Sequence, residues 1–211
     1  MRYKLVIFDF DGTLADSFAW FVRTANSLAE RYRFRPVEDG ELDVIRALGA
    51  REVVRRLGIS WWKLPLIARR MRQLKARDGH EIPLFPGVDA MLRTLAGAGV
   101  ELAIVTSNAR TNVCRVLGPE NERLIRYWEC SASLFGKAPR FRRVLRASGV
   151  RPEEALCIGD EIRDAEAARA AGVDFGAVSW GYTPPASLAA HEPAALFTSV
   201  DEIVDVVTAR K

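Results

Sequence analysis

The chain has 211 residues, of which 49% are hydrophobic and 27% are charged, which is enough to bury one full core and excludes a disordered protein. Its formal net charge is +4 and no recognised nucleic-acid-binding motif accompanies that charge, so a nucleic-acid partner is not expected. The three cysteines lack CxxC spacing, and the first apolar run becomes acidic too soon for a signal peptide or a membrane span. We therefore expect a soluble protein of the reducing cytoplasm without a membrane partner.

Apolar runs separated by helical patterns predict an α/β fold, a doubly wound parallel sheet with helices on both faces. The first predicted strand covers Lys4–Phe10, and similar runs occupy Val100–Val105 and Ala155–Ile158. Shorter runs at Phe175–Val178 and Ala195–Phe197 could add further strands. The first runs are rich in β-branched and other apolar residues, as expected of strands that are buried on both faces.

Residues 17–82 show helical patterns and no convincing strand, so we predict a helical domain inserted into a sheet domain of residues 1–16 and 83–211. The insert holds 14 Lys and Arg against 8 Asp and Glu, whereas the rest of the chain holds 17 against 19. Its arginines alternate with apolar residues at helical spacing, which indicates a solvated basic face. An alternative is that Arg69, Arg70 and Arg72 attract an anionic substrate.

Two pairs of residues in and beside the insert have structural interpretations. Asp16 and Ser17 are interpreted as caps of the first inserted helix, because short polar side chains satisfy free backbone amides there. Trp61 and Trp62 are interpreted as core residues of the insert, with a contact to substrate or partner as the alternative.

Polar residues follow the first three predicted strands, at the sheet edge where ligands bind in open parallel sheets. Residues 9–13 (DFDGT) follow the first strand, residues 106–108 (TSN) the second, and Asp160 with Asp164 the third. Carboxylates from two strand ends form a hard oxygen site that suits Mg²⁺. A cation also explains why an apolar strand ends in two aspartates, since unpaired buried carboxylates are costly.

A site of this composition can transfer phosphoryl groups. One carboxylate can attack phosphorus while a second protonates the leaving oxygen and then activates water. Asp9 and Asp11 have the spacing for these roles, because extended residues two apart project to the same side while the residue between them points into the core. The Thr106 hydroxyl and backbone amides near Gly12 and Asn108 are suitable donors to phosphate oxygens.

Four segments in this order, DFDGTLADS, VTSN, FGKAPRF and GDEIRDAEAARAAG, resemble the four motifs of the haloacid dehalogenase superfamily of phosphatases. The likeness covers residues 1–16 and about 86–181 and implies a Rossmann-like core. An insertion directly after the first motif resembles the helical-cap subfamily. The WGY sequence at residues 180–182 resembles phosphoglycolate phosphatase relatives.

The resemblance implies a Mg²⁺-dependent phosphomonoester hydrolase that acts through an aspartyl phosphate on a small phosphorylated metabolite. It implies that Asp9 is the nucleophile and Asp11 the general acid and base. It further implies that Thr106 holds the transferring phosphoryl group and that Lys137 stabilises the charge on nucleophile and phosphate.

The same resemblance implies two sets of binding residues. The expected substrate-binding residues are Gly12, Thr13, Ser107 and Asn108. The expected Mg²⁺ ligands are Asp9, the backbone carbonyl of Asp11, and Asp160, with Asp164 either in direct contact or supporting them from behind.

The sequence allows more than one interpretation of several residues and of the function. Lys137 is followed by Ala138 instead of the usual proline, but no other lysine lies between the second and fourth motifs. Glu161 has two interpretations, as a residue that orients a metal-bound water or as a solvated side chain.

A phosphomutase and a non-enzymatic binding or regulatory protein are the alternative functions. The expected partner is a small phosphate ester, and the sequence does not distinguish a monomer from a homodimer.

Overall fold

The computed structural model describes residues 2–48, 50–78, 81–131 and 136–209. Within these ranges the chain forms six strands: β1 (Leu5–Phe8), β2 (Glu101–Val105), β3 (Ile125–Glu129), β4 (Ala155–Gly159), β5 (Asp174–Val178) and β6 (Ala195–Phe197). All six join one sheet in the order β3-β2-β1-β4-β5-β6, and every neighbouring pair is parallel. The predicted doubly wound parallel sheet is therefore confirmed.

Ten α-helices are formed by the same described residues. They are α1 (Phe18–Tyr32), α2 (Leu42–Ala47), α3 (Ala50–Arg56), α4 (Leu64–Asp78), α5 (Val88–Gly97), α6 (Arg110–Leu124), α7 (Ala138–Ser148), α8 (Ile162–Ala171), α9 (Pro185–Ala189) and α10 (Asp201–Thr208). No described helix has both the length and the apolar character needed to cross a membrane.

Strand β1 lies at the centre of the sheet, and its side chains alternate between two buried layers. Val6 and Phe8 belong to one apolar cluster, together with residues of α5, α6 and α10. Leu5 and Ile7 belong to the other, together with residues of α7, α8 and α9. Helices on both faces bury β1 completely, which explains its uninterrupted apolar sequence.

Strand β3 was not predicted from the sequence. It is an edge strand in which only Ile125 is buried, so its sequence IRYWE shows no continuous apolar run. The first strand is also shorter than predicted, since its ladder ends at Phe8. The Asp9 amide nevertheless still donates to the Ile158 carbonyl at 2.9 Å, which fixes the position of the Asp9 backbone.

Helices α1 to α4 all fall between residues 17 and 82, and the described part of that segment contains no strand, as predicted. A small apolar cluster of Val37, Ile45 and Leu57 lies within it. The buried side of α4 includes Ile67 and Leu74, which belong to the same cluster as residues of the sheet. One side of the inserted helices therefore packs toward the sheet.

The interpretation of Trp61 and Trp62 as insert core is wrong. These two residues are 56% and 71% exposed, respectively. They lie in a short 3-10 turn before α4, and smaller aliphatic side chains fill the apolar cluster of the insert.

The interpretation of Asp16 and Ser17 as helix caps is also not supported. No side-chain hydrogen bond caps α1 at Ser17, and Asp16 is exposed. The Ser17 hydroxyl is instead hydrogen-bonded to the Tyr182 hydroxyl at 2.9 Å. This bond joins the start of the insert to the loop that follows β5.

Candidate active site

Asp9 follows directly on the central strand and is 4% exposed. Phe10, the next residue, is fully buried in the apolar core, as predicted. Asp11 is only partly buried, with 22% of its side chain exposed. One aspartate therefore lies deep beside the sheet and the other lies nearer the surface.

The turn after Asp11 requires glycine. Gly12 has a φ of 79°, a left-handed backbone conformation that residues other than glycine rarely adopt. A Cβ atom at this position would overlap the Asp160 carboxylate. The close approach lets the next residue, Thr13, donate its hydroxyl to Asp160 Oδ1 at 2.8 Å. The first and fourth motifs are thus in direct contact.

Asp160 follows β4 and is fully buried. Its Oδ2 atom accepts the Tyr182 amide at 2.8 Å, in addition to the Thr13 hydroxyl on Oδ1. Burial raises the pKa of Asp160 well above its usual range, and repulsion from Glu161 and Asp9 adds to the effect. A cation at this point would relieve that repulsion.

Asp164 lies in the first turn of α8 and is also fully buried. Its Oδ2 atom accepts the Glu161 amide at 3.2 Å, while the Glu161 side chain accepts the Asp164 amide. This reciprocal capping box fixes the start of the helix. Glu161 also forms an ion pair with Arg163. The two interpretations made from the sequence, a residue that orients metal-bound water and a solvated side chain, did not anticipate these contacts.

Lys137 precedes α7 and is 2% exposed. Its Nζ atom lies 2.6 Å from Asp164 Oδ1 and 2.8 Å from Asp9 Oδ2. Burial alone would lower the pKa of Lys137, but the two carboxylates outweigh burial and raise it above its usual value. The lysine of the third motif is therefore a cation between the first and fourth motifs. Phe135, two residues earlier in that motif, lies outside the described residues.

Three buried carboxylates offer a site for a metal ion. Asp9, Asp160 and Asp164 each present an oxygen, and these oxygens lie within 4.8 Å of one another. Asp9 Oδ2 is buried and accepts no hydrogen bond from the described residues, although Lys137 lies close to it. Three carboxylates beside a single lysine have an excess of negative charge, and their oxygens fit a hard divalent cation.

The residues that follow β2 complete this edge of the site. Thr106 is 1% exposed, and its hydroxyl accepts the Asn108 amide at 3.1 Å. The Asn108 side chain donates to Asp11 Oδ2 at 3.3 Å, and Ser107 is partly exposed. Thr106 to Asn108 lie just before Ala109, the N-cap of α6, where the helix dipole favours an anion.

Lys75 is a residue of this site that the sequence did not reveal. It lies on α4 and is 7% exposed, and its ammonium group is paired with Asp11 Oδ1. A possible signal was its position directly after Leu74 on the apolar side of the helix, where a solvated lysine is out of place. By contrast, Arg69 and Arg72 are exposed on the same helix, in agreement with a solvated basic face, whereas Arg70 is partly buried.

Comparison with known proteins identifies the family to which this arrangement of carboxylates belongs. The sequence model of the family described as haloacid dehalogenase-like hydrolase matches residues 6–178. A phosphoglycolate phosphatase from Synechococcus elongatus is 31% identical over 206 residues, which is 97% of this chain and 97% of that protein. Tyrosine-protein kinase PtkA from Mycobacterium tuberculosis is 32% identical over 184 residues, which is 85% of this chain and 63% of that protein.

A solved structure shows the same fold. A haloacid dehalogenase-like family hydrolase from Streptococcus pneumoniae matches with a TM-score of 0.81 at 20% identity, covering 97% of this chain and 98% of that one. The family match and the near full-length relative, together with the buried carboxylates at the ends of β1 and β4, show that the chain belongs to the haloacid dehalogenase-like hydrolase family, among its phosphatases.

Proposed function

We propose that the chain is a Mg²⁺-dependent phosphomonoester hydrolase that acts through an aspartyl phosphate on Asp9. The observation that carries the proposal is the buried cluster of Asp9, Asp160 and Asp164, in which Asp9 and Asp164 pair with the Lys137 ammonium. The name of the Synechococcus elongatus relative makes 2-phosphoglycolate the first substrate to test.

In the first step, a carboxylate oxygen of Asp9 attacks phosphorus while the bond from phosphorus to the ester oxygen breaks. Asp9 Oδ2 suits this role because it is buried and accepts no hydrogen bond from the described residues. Lys137, 2.8 Å from that atom, offsets the negative charge of carboxylate and phosphate.

Asp11, protonated once the substrate has separated it from Lys75, gives its proton to the departing ester oxygen, so that the alcohol leaves neutral. It then takes a proton from a water molecule, whose oxygen attacks phosphorus and releases Asp9 and inorganic phosphate. Asp11 suits this exchange because its side chain is partly exposed. The Asn108 amide donates to its Oδ2 atom and orients the carboxyl group.

The phosphoryl oxygens would be held by groups at the end of β2. The Thr106 hydroxyl and the Ser107 backbone amide are the proposed donors. The Asn108 amide donates to the Thr106 hydroxyl at 3.1 Å and the Gly12 amide to the Ala15 carbonyl at 2.9 Å, so we assign these two amides to the shape of the loops. The Thr13 hydroxyl already donates to Asp160, so we assign it to the orientation of that carboxylate instead of to the substrate.

Asp9, Asp160 and the backbone carbonyl of Asp11 would hold Mg²⁺, with Asp164 supporting them or in contact. The ion would neutralise phosphate charge and draw electron density from phosphorus. Asp164 is anchored by Lys137 and by the Glu161 amide, which favours a supporting position.

Residues 17–82 are proposed to form a cap domain over the sheet domain of residues 1–16 and 83–211. Two contacts between these segments support the proposal: Lys75 pairs with Asp11, and the ring of Phe18 lies 5.2 Å from that of Tyr182. A cap of this kind would exclude water during the first step. The three cysteines are free thiols, which is compatible with a reducing cytoplasm.

The test is release of inorganic phosphate from 2-phosphoglycolate and from para-nitrophenyl phosphate, with Mg²⁺, with EDTA, and with Asp9→Asn. We expect EDTA to remove activity and Asp9→Asn to lower kcat by about 10³-fold or more, because no other group supplies the nucleophile. Full activity in Asp9→Asn would contradict the proposal. Product analysis with a sugar phosphate separates hydrolysis from phosphoryl transfer within the sugar, the reaction of a mutase.

A further inference from the structure

Lys75 is a buried cation at the point where α4 meets the sheet domain. It is 7% exposed and follows Leu74 on the buried side of the helix. Burial of an ammonium group is costly unless an opposite charge accompanies it. Among the described residues, Lys75 forms an ion pair with Asp11.

The second neighbour of the Lys75 ammonium is an aromatic ring. Its Nζ atom lies 5.5 Å from the centre of the Trp20 ring on α1, a cation–π contact. The aromatic face and the Asp11 carboxylate together hold the ammonium group in place. Lys75 is therefore positioned in a partly dehydrated site at the boundary between insert and sheet domain.

The position matters because Asp11, under the proposed function, must touch the ester oxygen of the substrate. The atoms bonded to that oxygen then enter the space beside Asp11, where the Lys75 ammonium lies. A leaving group that enters there separates the Lys75–Asp11 pair. An uncharged leaving group would leave the ammonium buried without its counter-charge, whereas an anionic one would replace the lost partner.

We propose that Lys75 selects the leaving group of the substrate by pairing with a carboxylate that lies one carbon from the ester oxygen. The substrate class is the phosphate esters of small 2-hydroxy acids, of which 2-phosphoglycolate is the smallest. The inference rests on the proposed function, since it takes Asp11 as the residue beside the ester oxygen.

The test compares 2-phosphoglycolate with ethyl phosphate, which has the same carbon count and lacks the carboxylate. In Lys75→Met we expect kcat/KM for 2-phosphoglycolate to fall by about 100-fold, because a dehydrated charge pair is lost. For ethyl phosphate, whose leaving group cannot pair with Lys75, we expect a smaller loss, so that the ratio of the two kcat/KM values falls by at least about tenfold. Lys75→Arg keeps the charge and is expected to retain most of the preference for 2-phosphoglycolate.

Lys63→Met is the matched control, since it makes the same change in the same insert. The Lys63 ammonium donates to the Tyr32 carbonyl at 2.8 Å, at the opposite end of α1 from Trp20. Trp20 and Tyr32 are twelve positions apart on the helix, about 18 Å at 1.5 Å per residue. We expect Lys63→Met to leave kcat/KM for both esters unchanged within about twofold.

A binding measurement separates this inference from the proposed function. Titration calorimetry with Asp9→Asn, which lacks the nucleophile, reports affinity for each ester with no turnover. We expect 2-phosphoglycolate to bind at least about tenfold more tightly than ethyl phosphate, and Lys75→Met to abolish that difference. If Asp9→Asn does not fold, the same titration is made on the unsubstituted chain in EDTA.

The outcomes are distinguishable. If Lys75→Met lowers the affinity and kcat/KM for both esters equally, Lys75 only holds the insert against the sheet domain, and the inference is overturned. No loss for either ester overturns it as well. If no ester is hydrolysed but the Lys75-dependent preference in binding is present, the proposed function fails while the assignment of Lys75 stands.

Discussion

The Thr13 hydroxyl donates a hydrogen bond of 2.8 Å to Asp160 Oδ1, joining residues 147 positions apart in the chain. Both side chains are buried, and the Tyr182 amide holds the second Asp160 oxygen. The orientation of Asp160 is therefore determined by two neighbours, one from the loop after β1 and one from the loop after β5. Thr13 therefore helps to orient Asp160 within the carboxylate cluster.

Replacing Thr13 by Val is expected to weaken Mg²⁺ binding by about 10–100-fold, since the hydrogen bond that orients Asp160 is lost at nearly constant side-chain volume. Activity measured against Mg²⁺ concentration gives the apparent affinity. Thr13→Ser keeps the hydroxyl and should behave like the unsubstituted chain. An unchanged Mg²⁺ requirement in Thr13→Val would show that Asp160 needs no support from this residue.

Replacing Gly12 by Ala is expected to abolish most activity. The left-handed backbone at φ 79° costs roughly 1–2 kcal/mol for an alanine, and the added Cβ overlaps the Asp160 carboxylate. Denaturant unfolding measures the loss of stability and phosphate release measures the activity. Gly58→Ala is the control, because Gly58 also has a positive φ, 67°, but no heavy atom of the described residues lies within 4 Å of its Cβ position. If both variants lose stability and activity equally, backbone strain alone explains the loss, and the overlap with Asp160 contributes nothing.

The ion pairs of Glu41 are expected to make stability depend on pH. Hydrogen bonds from Arg35 and Arg56 lower the pKa of Glu41 from 4.5 to about 2. Because the folded-state pKa lies below the unfolded value, the stabilisation is complete above pH 4.5 and is lost as the pH falls toward 2. Glu41→Gln should therefore lower Tm at pH 7, and the difference from the unsubstituted chain should shrink at pH 3.

The effect of Glu41 is expected to be small and sensitive to salt, because these side chains lie near the surface. Thermal unfolding at low and high salt at both pH values measures it. Glu30→Gln removes an exposed carboxylate of α1 and serves as the control. A Tm difference for Glu41→Gln that is the same at pH 7 and pH 3 would exclude the proposed pairing.

Neutralising Arg69 and Arg72 together is expected to change kcat/KM by about twofold or less at physiological ionic strength. Both side chains are exposed, and exposed charges are largely screened beyond about 8 Å. Steady-state kinetics of Arg69→Gln/Arg72→Gln measure the effect. A loss of tenfold or more would favour the alternative that the basic face attracts anionic substrates.

Much of the candidate site could be predicted because its residues follow buried strands. Strands β1, β2 and β4 have nearly continuous apolar sequences, and polar residues at their ends are conspicuous. Parallel strands place those ends at one edge of the sheet, so Asp9, Thr106 and Asp160 were expected to be neighbours. Strand β3 escaped prediction because an edge strand needs little apolar sequence.

The sequence by itself determined the parallel sheet, the helical character of residues 17–82 and the residues of the carboxylate cluster, because local periodicity and motif spacing encode them. Only the tertiary structure decided which distant side chains pair. It placed Lys75 against Asp11 and Ser17 against Tyr182, and it left Trp61 and Trp62 exposed. The physical reason is that such contacts depend on how the insert packs against the sheet, and no local pattern of residues records that packing.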